Sequence, residues 1–173
     1  MHKKPEKHFN LDDSRFYTAE VLSALQHIHS LSYVHRDVKP ENILVAATGH
    51  IMISDFGSVK DMSGAVLEGQ PVSPATDLWA LGVVIYQFLT GRHAFHDESE
   101  YLIYKRIQKL LFSYPPEFPE TAKDLIDRLL VIKPEYRLGT TTTGGPEALR
   151  YHKFFEEIDW DNLALSKPPT IPV

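Results

Sequence analysis

Four residues of this chain have types and spacing that could do chemistry together. Asp37, Lys39 and Asn42 share one polar loop, and Asp55 lies beyond it. The amide oxygen of Asn42 and the carboxylate of Asp55 are the hard ligands that Mg²⁺ prefers. Asp37 can accept a proton from an attacking hydroxyl, and Lys39 can balance charge on a transferring phosphoryl group. Such work needs the groups close together, so the chain between them matters. Ile43–Val45 and Ile51–Ile53 read as short strands, with Thr48-Gly49 turning between them. A hairpin brings its ends together, so this one can converge Asp37, Asn42 and Asp55 on one point.

Helices must carry that hairpin. Tyr17, Val21, Ala24, Leu25 and Ile28 fall on one helical face, and Asp12, Asp13 and Ser14 offer capping oxygens at its start. Residues 78–89 are apolar on nearly every side and predict a central buried helix stopped by Gly91. Ser99 can cap a helix carrying Ile103, Ile107, Leu110 and Leu111. Pro119 opens another with a stripe of Ala122, Leu125, Ile126, Leu129 and Leu130. A short helix is expected over 147–154. Residues 55–74 and 140–145 read as loops, the second polar and flexible. The expected fold is mainly α with a small β-hairpin. It divides into residues 1–155 and an extended Pro-rich tail, 156–173.

Composition narrows the function. The 173 residues are 43% hydrophobic and 24% charged, as in an ordinary soluble domain. Asp and Glu outnumber Lys and Arg 23 to 18, which argues against nucleic acid as a partner. With no cysteine, disulfides, thiolate zinc sites and a Cys nucleophile are excluded, and a reducing compartment fits. Residues 1–10 have no apolar core and resemble neither a secretory signal nor a transit peptide. The apolar run 78–89 is too short to be a transmembrane segment. Trp79 and Phe88 read as packing groups. His27, His29 and the set His93, His96, Asp97 and Glu98 read as chance neighbours among nine histidines rather than a transition-metal site.

The loop His35-Arg36-Asp37-Val38-Lys39-Pro40-Glu41-Asn42, followed by Asp55-Phe56-Gly57, resembles the eukaryotic protein kinases. It matches their H-R-D-x-x-x-x-N catalytic loop and D-F-G, in order and with strands between. Lys39, two residues after Asp37, resembles the serine/threonine kinases. Asp77-Leu78-Trp79-Ala80-Leu81-Gly82 resembles the start of the central helix of the kinase large lobe, and Arg137 in Tyr136-Arg137-Leu138-Gly139 its late arginine. Asp55-Phe56-Gly57-Ser58-Val59-Lys60, Glu100-Tyr101-Leu102-Ile103 and Trp160-Asp161-Asn162-Leu163 are similar to the AGC group, in particular its 3-phosphoinositide-dependent branch. The resemblance implies ATP and Mg²⁺ as cofactors, bound by Lys39, Glu41, Asn42 and Asp55, the last two holding the metal. It implies Asp37 as the base and Lys39 as the group steadying the phosphoryl. His35, Arg36, Asp77 and Arg137 would be structural. Protein substrates with Ser or Thr hydroxyls, other kinases among them, and a cytoplasmic setting also follow from it.

The same resemblance marks departures. The sequence holds no G-x-G-x-x-G and no V-A-I-K-like strand, so the expected unit is a large lobe with the small lobe absent, open to a partner chain. Between Asp55 and Asp77 the family fits a longer activation segment with a phosphosite and an A-P-E motif. A deletion at 65–66 is expected here. Arg36 and Arg137 then lose the phosphate and the glutamate they pair with in the family, unless Glu68 replaces the latter. Breaking one side of a buried ion pair costs about 3–5 kcal/mol. Apolar side chains near Ile43, Leu44 and Ile53 should be uncovered. Two readings remain: a kinase large lobe that is very slow alone, or a non-catalytic module that binds kinase partners or competes with the full enzyme. An unrelated Mg²⁺ hydrolase would need another nucleophile, and the sequence offers none.

Overall fold

The computed structural model describes residues 8–62 and 72–169. The first helix, α1 (Leu11–Ser30), starts where Asn10 leaves an extended backbone and its side-chain oxygen accepts the Asp13 N–H at 2.8 Å. The cap is therefore one turn earlier than Asp13 or Ser14, since only Asn10 has the required non-helical backbone. Tyr17, Val21, Leu22 and Leu25 form its buried face.

The second helix, α2 (Ala75–Thr90), is the axis of the core. Leu81 and Ile85 are fully buried, and Gly91 closes it in the left-handed region at φ 67°. It packs between α1 and α4 (Glu120–Leu129), whose Ala122, Leu125, Ile126 and Leu129 are completely buried. Gly82 is what lets α2 and α4 approach. A Cβ there would stand 3.0 Å from Leu129 Cβ and from Leu130 Cδ2.

Helix α3 (Glu100–Gln108) is capped by Ser99 as expected but buries none of its residues. It ends before Leu110, which has φ 50°, so Leu110 and Leu111 lie past the helix. Helix α5 (Gly145–Arg150) is shorter than the expected 147–154. His152 turns extended, its Nδ1 accepts the Phe154 N–H, and Lys153–Phe155 forms a separate 3-10 turn.

Two small antiparallel sheets complete the fold. Strands β2 (Ile43–Val45) and β3 (Ile51–Ile53) form the expected hairpin, with Ile43 opposite Ile53 and Val45 opposite Ile51. Strands β1 (Tyr33–Val34) and β4 (Lys60–Asp61) pair as well, within a stretch the sequence reads as loop. The result is mainly α with a β-hairpin.

Two expectations need correction. The segment 140–143 is a hydroxyl-bonded turn: Thr140 Oγ1 donates to Arg137 O at 2.9 Å and Thr143 Oγ1 to the same carbonyl at 2.8 Å. Residues 156–166 are not an extended tail. Trp160 packs edge-on against Phe155, Leu163 is buried, and Leu163–Leu165 is a 3-10 turn. Arg36 and Arg137 make main-chain hydrogen bonds, while the segment expected to lack their charged partners is not described. The proposed junction at 65–66 and Glu68 lie outside the described residues.

Candidate active site

The site begins with a buried carboxylate on α2. Asp77, in the first turn of that helix, is wholly buried. Its Oδ2 accepts the His35 N–H at 2.9 Å and its Oδ1 the Arg36 N–H at 2.8 Å. His29, at the end of α1, places Nε2 2.8 Å from Oδ2. These bonds compensate for a backbone that side chains rarely adopt, since Arg36 sits at φ 68°. Asp77 thus shapes the loop that carries Asp37.

His35 ties that loop to the far end of the hairpin. Its Nδ1 accepts the Asp37 N–H at 3.3 Å, so Nε2 carries the proton and donates to Ser54 O at 3.0 Å. The ring is buried and meets Phe56 edge-on, with centroids 5.3 Å apart. Asn42 is bound to the same end: its carbonyl accepts the Ser54 N–H at 2.8 Å and the Ser54 hydroxyl at 3.1 Å. Asp55 follows directly, in the left-handed region at φ 60°, with Oδ1 accepting the Gly57 N–H at 3.3 Å.

On this frame the side chains meet. Lys39 Nζ donates to Asp37 Oδ2 at 2.9 Å. Asn42 Nδ2 donates to Asp37 O at 2.8 Å and to Oδ2 at 3.0 Å. The Lys39 hydrogen bond, with that of Asn42, holds the Asp37 carboxyl below the usual carboxylate range. The Asp37 hydrogen bond raises the Lys39 ammonium, and the charges of Glu41 and Asp55 add to it. Asp37 is therefore ionised at neutral pH. Glu41 is exposed on the 3-10 turn Pro40–Asn42 and acts on the group only through its field.

The donor set suits a hard divalent cation. Asn42 spends its Nδ2 on Asp37, which leaves Oδ1 as the amide's coordinating atom, and Asp55 is exposed with Oδ2 outside the Gly57 bond. Beside these groups the hairpin shows an apolar surface: Leu44, Val45, Met52 and Phe56 are each about half exposed. Ile43 and Ile53 are half-buried.

The two arginines find main-chain partners. Arg36 Nε donates to Ser58 O at 2.6 Å, joining the Asp37 loop to the segment after Gly57. Arg137 is buried, donates to Ala75 O at 2.7 Å and Val131 O at 2.9 Å, and lies over the Trp79 ring. Burial lowers the pKa of its guanidinium. His29 and Ser54 are contributors that sequence reasoning missed. Nothing local marks them, because their partners lie in other elements. Of the histidine-rich sets, His93 Nδ1 lies 2.9 Å from Phe95 O and Asp97 pairs with Arg106.

A loop carrying a carboxylate, an ammonium and an amide, with a second carboxylate returned to it by a hairpin, has the parts of a protein-kinase catalytic loop and its metal-binding segment. The chain belongs to the protein kinase family, whose domain matches residues 1–155. It is 42% identical to 3-phosphoinositide-dependent protein kinase 1 of Arabidopsis thaliana over an alignment of 187 residues, covering 92% of this chain and 38% of that protein. The protein of the same name from Homo sapiens is 41% identical, covering 91% and 32%. The serine/threonine-protein kinase YPK2/YKR2 of Saccharomyces cerevisiae is 37% identical, covering 99% and 28% over 191 residues. These likenesses make the chain a relative of the AGC serine/threonine kinases, resembling the 3-phosphoinositide-dependent ones. It spans about a third of the length of these relatives. All three alignments, of 187, 177 and 191 residues, are longer than the chain's own 173, so the relatives carry residues that this chain lacks within the matched span. Among the described residues no helix is long and apolar enough to cross a membrane.

Proposed function

We propose that this chain is the large lobe of a serine/threonine protein kinase, built to pass the γ-phosphoryl group of ATP to a protein hydroxyl. The observation that carries the reading is the bonded group of Asp37, Lys39 and Asn42, joined through Ser54 to Asp55. Mg²⁺, when bound, would neutralise the phosphate oxygens, and Asn42 and Asp55 are the residues to hold it. Asp37 Oδ2 orients the substrate hydroxyl and takes its proton. Lys39, already 2.9 Å from that oxygen, supplies positive charge beside the group in transfer. Glu41 contributes only at the edge of the nucleotide site. Asp77 and His35 position the loop, while Arg36 and Arg137 hold neighbouring backbone.

The names of the relatives support protein substrates and a link to phosphoinositides; other kinases as substrates, a place upstream in that signalling and a cytoplasmic setting are carried by the family resemblance alone. The exposed Leu44, Val45, Met52 and Phe56 support a cover over the hairpin, such as a small lobe in the same or another chain. Without such a cover ATP is poorly oriented, and orientation can supply about 7–11 kcal/mol of barrier lowering. Residues 1–173 alone are therefore expected to bind Mg-ATP weakly and to transfer no detectable phosphate. The same exposed face favours the second reading, a module that binds kinase partners without catalysis.

The test is radiolabelled phosphate transfer by this chain alone and by the chain joined to a small lobe and a full activation segment. The joined protein should be active, and Asp37→Asn should lower its rate about 10²–10⁴-fold. Transfer by the joined protein that is indifferent to Asp37→Asn would overturn the assignment. No transfer by the joined protein, with tight binding of partner kinases, would favour the second reading.

A further inference from the structure

The hairpin that returns Asp55 to Asn42 is too small to define its own shape. Each strand has three residues, and isolated two-stranded hairpins are at best marginally stable in water. Its register nevertheless sets the site. Asn42 immediately precedes β2 and Asp55 comes two residues after β3, so a slip between the strands moves one ligand against the other. Something outside the hairpin must fix it.

Helix α1 does so at the turn end, far along the chain from the site. Glu20 is a carboxylate only 9% exposed, and the proposed catalysis does not use it. Its Oε2 accepts the Ile51 N–H at 2.9 Å, taking the first donor of β3, and its Oε1 is bound to His50 Nδ1. One turn earlier on the same helix, the buried Tyr17 donates its hydroxyl to Pro169 O at 3.0 Å and lies 3.4 Å from Gly49 O. Pro168 completes the clamp, close enough that a Cβ on Gly49 would stand 3.2 Å from it. The other end of α1 carries His29, bound to Asp77 beneath the Asp37 loop. One rigid helix thus touches both arms of the site.

We propose that Glu20 is a positioning residue for the metal-binding pair: it fixes where β3 begins, and so where Asp55 stands relative to Asn42. The inference rests on reading Asn42 and Asp55 as metal ligands. A residue that orients ligands from behind typically changes metal affinity about 10–100-fold when removed.

The experiment uses the full chain, Mn²⁺ as an oxygen-ligand probe read by broadening of the Asn42 and Gly57 N–H signals, and amide hydrogen exchange at Ser54. Glu20→Ala should weaken Mn²⁺ by about tenfold or more and speed Ser54 exchange. Glu20→Gln keeps a carbonyl oxygen for the Ile51 N–H and should stay within about threefold of wild type on both readouts, on the scale of one retained hydrogen bond. Ile126→Val, a core truncation in α4, should lower the urea midpoint but leave Mn²⁺ affinity alone. Wild-type affinity and exchange in Glu20→Ala would overturn the proposal. So would an Ile126→Val protein that loses Mn²⁺ as badly. Asp55→Asn separates this from the reading beneath it: if Mn²⁺ broadening survives that change, the metal assignment fails. Ser54 exchange then decides alone, faster in Glu20→Ala sustaining the role of Glu20 and unchanged exchange ending it.

Discussion

Lys39 and Asp55 are exposed and Asp37 is partly so, while Gly82, Leu125 and Leu129 are sealed between α2 and α4. The first group is bound by a few polar contacts at about 3 Å. The second is held by packing so close that Gly82 has no space for a methyl group. Exposed ion pairs add little to stability because water screens them, whereas close packing adds a great deal. The working groups therefore inherit their geometry from buried residues, and damage to the two regions should separate into lost function and lost stability.

The sharpest way to break that separation is at Asp77, which belongs to both regions. Asp77→Ala leaves His29 and the His35 and Arg36 N–H groups without their acceptor in a dry place. The expected loss is about 3–5 kcal/mol in urea denaturation. A loss under about 1 kcal/mol, the size of an ordinary net hydrogen bond, would mean that the loop supports itself.

A purely packing change comes next. Gly82→Ala should cost about 1–3 kcal/mol, because Leu129 Cβ and Leu130 must give way. The Asp37 carboxyl should titrate as in wild type.

The smallest effect should come from Lys39→Met. It removes the main cause of the depressed Asp37 pKa, so carbon-detected titration should show that carboxyl rising toward the ordinary carboxylate value. The sign follows from linkage. A folded value below the unfolded one stabilises fully above the unfolded value, and the benefit is lost as pH falls through the folded value. Wild type should thus shed this small contribution as pH falls below the ordinary carboxylate value, and Lys39→Met should shed less of it, because the Asn42 hydrogen bond remains. An unshifted Asp37 would show that Asn42 dominates.

Local patterns made much of this legible. The stripes of α1 and α4, the Ser99 cap, Gly91 and the hairpin all follow from spacings of a few residues. The motif loop and the Asp55 segment were legible for the same reason. What escaped depends on distant partners. The β1–β4 pair joins two-residue strands with no periodicity to detect. Residues 156–166 read as tail because Trp160 finds Phe155 and Arg150 only in three dimensions. The main-chain carbonyls and indole face that Arg137 meets lie in other elements, so no local pattern announced them.

The Asp77 anchor also bears on the order in which the protein is made. The loop it shapes is synthesised about forty residues before it, and Arg36 cannot be expected to hold a left-handed backbone without that carboxylate. A nascent chain ending before α2 carries the local signals of α1, yet its Asp37 loop has no reason to be in place. The catalytic bend would then be a late event in biogenesis, timed by the arrival of a helix rather than by the loop's own sequence.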